Sequence, residues 1–142
     1  MGTAPRKHVV IIDDEKSYTR LLAELLSDHL ECGITTFTRP RDALAAMPKL
    51  NVGVVVTDYF MPQLNGVELI LKAAPLLPGV PFILITGHTD GMIDLASLTK
   101  VKPLKAILRK PFGWRKLADE IVRLWPERGV DLVRREPEAA SV

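Results

Sequence analysis

Cysteine is nearly absent from this sequence: Cys32 is the only one in 142 residues. That excludes an internal disulfide and fits a reducing compartment. Long apolar runs are missing as well. None reaches the ~18 residues that a membrane-spanning helix needs. The first residues lack the charged start, apolar middle and small-residue cleavage site of a secretory leader, so a cytoplasmic location without membrane attachment is expected. No internal repeat is visible, which excludes solenoids and propellers. Net charge is only +2, too little to nominate nucleic acid as a partner. His8, His29 and His88 are scattered and Cys32 is remote from the acidic residues, which argues against a zinc centre.

What is present is ordinary for a globular domain, with 47% hydrophobic and 25% charged residues. The length suits one domain, and a second would be expected to have almost no room. Short apolar runs occur at 9–12, 52–56, 82–85 and 106–108, and each ends abruptly in polar residues. Such runs suit strands of a parallel sheet covered on both faces. The stretch 34–37 carries Thr35 and Thr36 and suits an edge strand. Between the runs lie helical patterns. Tyr18, Leu21, Leu22, Leu25, Leu26 and His29 recur at spacings of three and four. A short helix is expected over 41–47 with Pro40 in its first turn, and another through Val67, Leu69, Ile70, Ala73 and Ala74. A fourth is expected over 92–98, and a last through Leu117, Ile121, Val122 and Trp125, stopped by Pro126.

Strand and helix alternating five times predict a doubly wound α/β domain with five strands and five surrounding helices. Its site lies beyond the carboxyl ends of the strands. That topology gathers Asp13 and Asp14 after the first strand, Asp58 at the end of the third, Thr86 after the fourth and Lys110 after the fifth. Singly, each is readily a strand-end cap or a solvated turn residue. As a set they make a cluster of carboxylates that needs compensating positive charge. Oxygen donors of this kind suit Mg²⁺, and a lysine adds a mobile point charge useful near a phosphoryl group.

Four segments then carry a resemblance: 9–15 (VVIIDDE), 54–66 (VVVTDYFMPQLNG), 82–87 (FILITG) and 108–112 (LRKPF). In this order they resemble the receiver domain of two-component response regulators. The unpatterned residues 1–6 read as a short extension, and the mixed charged and small residues of 129–142 as a tail expected to fray beyond about residue 136. The likeness implies a flavodoxin-like sheet of order 2-1-3-4-5 and a receiver domain over 7–128. It implies that Asp58 accepts a phosphoryl group from the phosphohistidine of a histidine kinase or phosphotransfer domain. Asp14 then binds Mg²⁺ directly, Asp13 acts partly through water, and the Phe60 backbone carbonyl is a further ligand; Mn²⁺ is able to substitute. Thr86 bonds a phosphoryl oxygen and Lys110 pairs with the phosphate, its bond to Pro111 typically being cis. Slow self-dephosphorylation resets the switch.

The sequence departs from the family pattern at Ile107, where a tyrosine or phenylalanine usually couples the site to the output face. Isoleucine has no ring to swing, and its bland reading is a plain strand residue. Phe60 and His88, each two residues beyond a site residue, overlook the phosphoryl group in the family and tune its lifetime. Between Thr99 and Arg135 eleven lysines and arginines face four acidic residues. That is either a solvated face or a surface for an acidic protein, and direct DNA binding is not expected of it. A downstream protein or a homodimer through the helix 4–strand 5–helix 5 face is expected. Two rivals stay open. One is a receiver-like interaction module working without phosphorylation, favoured by Ile107. The other is a Mg²⁺-dependent phosphatase, disfavoured because Phe60 stands where a second acid is wanted. Asn65 and Gly66 read as the turn into the third helix, with Gly66 free to take positive φ.

Overall fold

The computed structural model describes residues 6–87, 95–98 and 100–135. Five strands, β1 (His8–Ile12), β2 (Gly33–Phe37), β3 (Val52–Asp58), β4 (Phe82–Thr86) and β5 (Leu104–Arg109), form one sheet of order β2-β1-β3-β4-β5. Every pairing is parallel. Helices α1 (Lys16–His29), α2 (Pro40–Ala46), α3 (Gly66–Ala73) and α5 (Trp114–Leu124) cover it. Only one turn of the fourth expected helix, α4 (Leu95–Leu98), falls among the described residues, so the helical content is lower than the expected five full helices.

The strands bury both faces because apolar side chains fill both parities. Val9, Ile11, Val54, Val56, Ile83 and Ile85 pack against α1 and α5 through Leu22, Leu26, Leu117, Ala118 and Ile121. Val10, Ile12, Val55, Phe82 and Leu84 pack the opposite way, against α2 and α3 through Ala43, Leu69, Ile70 and Ala73. This is the two-sided burial of a parallel sheet, and it explains why the central runs show no alternation. β3 is buried along its whole length, whereas β2 and β5 at the edges are mostly half-buried. Gly53 interrupts β3 because the Trp125 ring lies over it; a Cβ there would come within 2.9 Å of that ring. Val122, expected on the packed face of α5, is 37% exposed, and Ala118 takes its place in the core.

After α5, described residues 132–134 return to the carboxyl end of α1. Leu132 is buried at the carboxyl end of α1, and its carbonyl accepts from the Glu31 N–H at 2.6 Å. The Arg134 N–H donates to His29 O at 2.8 Å, and Arg134 Nε to Ser27 O at 3.0 Å. A single antiparallel bridge joins Val133 to Leu30.

Candidate functional site

The order of the strands reverses between β1 and β3, and the crevice this opens lies beyond their carboxyl ends. Asp13 and Asp14 follow β1, and Asp58 ends β3. Asp13 is 2% exposed and Asp58 8%, while Asp14 is open to solvent. One carboxylate oxygen from each lies within 4.8 Å of the others. Lys110, just past β5, brings Nζ to 3.5 Å from Asp13 Oδ2 and 3.7 Å from Asp58 Oδ1. The Lys110–Pro111 bond is cis, and the Lys110 N–H donates to Thr86 O at 2.8 Å. Thr86 is buried at the end of β4, one position past Ile85, whose carbonyl accepts from the Tyr59 N–H at 2.8 Å. All five expected polar residues therefore stand along one edge of the sheet.

Local structure fixes the end of β3. Asn65 caps α3 by accepting from the Glu68 N–H at 2.9 Å, while Glu68 Oε1 accepts from the Asn65 N–H at 3.1 Å. The Gly66 N–H donates to Tyr59 O at 2.8 Å. A Cβ on Gly66 would meet Asp58 O at 2.5 Å and Leu84 Cδ1 at 2.7 Å. Glycine is required here for close approach; the positive φ of this loop belongs to Gln63, at 76°.

Charge is poorly accommodated in the cluster. Burial, then the neighbouring Asp13 carboxylate, pushes Asp58 from 3.8 up to about 6, against the pull of Lys110. Burial likewise raises Asp13, although its Oδ1 accepts from the Glu15 N–H at 2.9 Å. Asp13 Oδ2 is buried and accepts no hydrogen bond among the described residues; Lys110 is an ion-pair neighbour at 3.5 Å. A buried carboxylate oxygen left without a donor, beside two more carboxylates, fits a hard divalent cation bound through oxygen.

The remaining expected residues divide. Phe60 is 43% exposed and its ring meets Tyr59 edge-on, with centroids 4.8 Å apart. Ile107 in β5 pairs with Leu84 of β4 and packs, half-buried, on the α2–α3 side of the sheet, as a plain strand residue does. His88 lies outside the described residues. Sequence reasoning missed Tyr18, which counted only as one more position on the buried face of α1. Its ring centroid is 4.7 Å from Lys110 Nζ. Burial and the carboxylates of Asp13 and Asp58 push its hydroxyl up to about 12, so it stays a neutral phenol. The available signal was its place in the first turn after the acidic pair, at the site end of the helix.

A doubly wound sheet with an acid cluster at its switch point and a lysine after the last strand defines a class of parallel α/β switch domains. The family model for the response regulator receiver domain matches residues 9–122, and the chain belongs to that family. It is similar to the transcriptional regulatory protein FixJ of Rhizobium meliloti, 37% identical over 119 residues covering 81% of this chain and 55% of the relative. It is also similar to the C4-dicarboxylate transport transcriptional regulatory protein DctD of Rhizobium meliloti, 30% identical over 145 residues covering 99% and 30%. The chain thus spans about half or less of these curated relatives. Among solved structures, a response regulator receiver domain protein from Clostridium thermocellum superposes with a TM-score of 0.70 at 25% identity, covering 83% of this chain and 93% of the other. No helix among the described residues is long and apolar enough to cross a membrane.

Proposed function

We propose that Asp58 accepts a phosphoryl group from the phosphohistidine of a histidine kinase or phosphotransfer domain. The observation that carries this is the buried Asp58 carboxylate set beside Asp13, with Lys110 Nζ 3.7 Å from its Oδ1. At neutral pH a carboxyl raised to about 6 is mostly ionised and available as a nucleophile. An Asp58 oxygen attacks phosphorus in line; the P–N bond breaks, its electron pair stays on the donor imidazole, and an acyl phosphate forms. Lys110 offsets the negative charge gathered on the phosphoryl oxygens, and the Thr86 hydroxyl donates to one of them. Asp13, Asp14, Asp58 and the Phe60 carbonyl would hold Mg²⁺, or Mn²⁺ in its place. When bound, the ion neutralises charge on the carboxylates and the phosphoryl group. Water attack on the acyl phosphate returns Asp58 and inorganic phosphate, slowly enough for the state to be read.

The new acceptors on Asp58 draw Thr86 and the loop after β4, biasing the face built around β5 and α5 toward a protein partner or a second copy. Partners are proteins rather than DNA, and the setting is cytoplasmic. A second reading, an interaction module independent of phosphorylation, draws on Ile107 alone. Incubation with Mg²⁺ and acetyl phosphate, followed by intact-mass measurement, decides between them. The wild type gains one phosphoryl mass and Asp58→Asn gains none. A folded wild type that takes up no phosphoryl group from acetyl phosphate or from a phosphorylated kinase overturns the first reading in favour of the second.

A further inference from the structure

Lys110 is bounded on three sides. Two are carboxylates, Asp13 at 3.5 Å and Asp58 at 3.7 Å; the third is the Tyr18 ring, with its centroid 4.7 Å from Nζ. A lysine is a compact charge on a flexible four-carbon stem, and it goes where the field sends it. Here the field is set to change. A divalent cation on Asp13, Asp14 and Asp58 would claim the same oxygens and repel the ammonium. The ring is the contact that such a cation does not compete for, because its attraction comes from the π face rather than from a formal charge. We propose that Tyr18 is a positioning residue that holds the Lys110 ammonium beside Asp58 once the carboxylates are otherwise engaged. This rests on the reading of the site given above.

The ring is well placed for the task. Tyr18 projects from the first turn of α1 and packs, half-buried, on the α1–α5 core. It lines one groove with Leu22, Phe112 and Trp114, and the last two follow Lys110 by two and four residues. The ring therefore bridges the start of α1 to the loop that carries the lysine. Ile107, the neighbour of Lys110 three positions back, packs into the α2–α3 side and offers no such ring.

The test separates the π face from the hydroxyl and from bulk. Tyr18→Phe keeps the face, Tyr18→Leu keeps apolar volume alone, and Tyr18→Met stands in if the leucine variant folds poorly by urea unfolding. With Mg²⁺ and acetyl phosphate, Tyr18→Phe should match the wild-type phosphorylation rate, and Tyr18→Leu should fall roughly five- to tenfold. In a Lys110→Met background Tyr18→Leu should have no further effect, because the ring acts through the lysine. Equal rates for wild type and Tyr18→Leu, or an undiminished loss in the Lys110→Met background, overturn the proposal. A second readout does not depend on phosphoryl transfer. The Lys110 ε-methylene protons should show a ring-current upfield NMR shift that survives addition of Mg²⁺ in wild type and Tyr18→Phe and is missing in Tyr18→Leu. Loss of that shift on adding Mg²⁺ to the wild type overturns the proposal. A wild type that takes up no phosphoryl group yet keeps the shift rejects the phosphoacceptor reading and leaves the clamp standing.

Discussion

The two ends of the sheet are both polar, and they follow opposite rules. At the amino end, His8 Nδ1 meets Thr35 Oγ1 at 2.9 Å and Lys7 Nζ donates to Asn51 Oδ1 at 3.3 Å. The His8 N–H donates to Asn51 O, the Gly33 N–H to Lys7 O, and the Glu31 N–H to Leu132 O. Among the described residues the exception there is a neutral donor, the buried Nε1 of Trp125. At the carboxyl end the buried oxygen that accepts no hydrogen bond among the described residues belongs to a carboxylate, with two more acids beside it and Lys110 to balance them. The first arrangement holds chain segments together. The second spends stability to keep negative charge where, under the proposed function, a cation and a phosphoryl group would use it.

The sharpest way to break the contrast is to remove a polar group from each end and compare signs. In metal-free buffer, Asp58→Asn should stabilise the protein at pH 8 by up to roughly 3 kcal/mol, the worth of a carboxyl raised from 3.8 to about 6. The folded state binds this proton more tightly than the unfolded chain. Wild-type stability is therefore full below about pH 4, falls as pH rises to about 6, and stays low above. The gain from the asparagine variant should shrink toward zero at pH 4, as read from urea midpoints across that range. A gain of the same size at both pH values would show that charge is not its source.

Next in size is Leu132→Ala at the opposite end. Truncating this buried side chain should cost about 2–3 kcal/mol in urea unfolding, with no change in phosphoryl uptake from acetyl phosphate. Reduced uptake in a protein that is still folded would join two ends that the contrast separates. The smallest effect belongs to Thr35→Val, which leaves His8 Nδ1 without its hydroxyl partner. A loss of about 0.5–1.5 kcal/mol is expected, opposite in sign to Asp58→Asn. A stabilising Thr35→Val would erase the distinction.

The same contrast explains what could be read in advance. The runs at 9–12 and 52–56 are buried on both faces, so they carried the parallel sheet in plain view. Asp13, Asp14, Asp58, Thr86 and Lys110 sit at strand ends, where topology alone brings them together. What escaped depends on tertiary distance rather than on pattern. Tyr18 obeys the apolar spacing of α1, and nothing in that spacing says that its ring reaches Lys110. Gly66 looks like turn chemistry, yet it serves by lacking a Cβ against Asp58 O. Residues 130–135 have no periodicity, because backbone hydrogen bonds to the end of α1 fasten them and only Leu132 is buried.

Tyr59 shows how this site can tolerate change. Its N–H is bonded to Ile85 on β4 and its carbonyl to Gly66 on α3. The residue next to Asp58 is thus fastened on both sides by main-chain atoms that every non-proline amino acid carries. The exposed side chains of Phe60 and Pro62 can therefore change without moving the aspartate. Divergence at such positions is cheap, whereas the loop resists loss of the Asn65 cap and the addition of a single carbon at position 66.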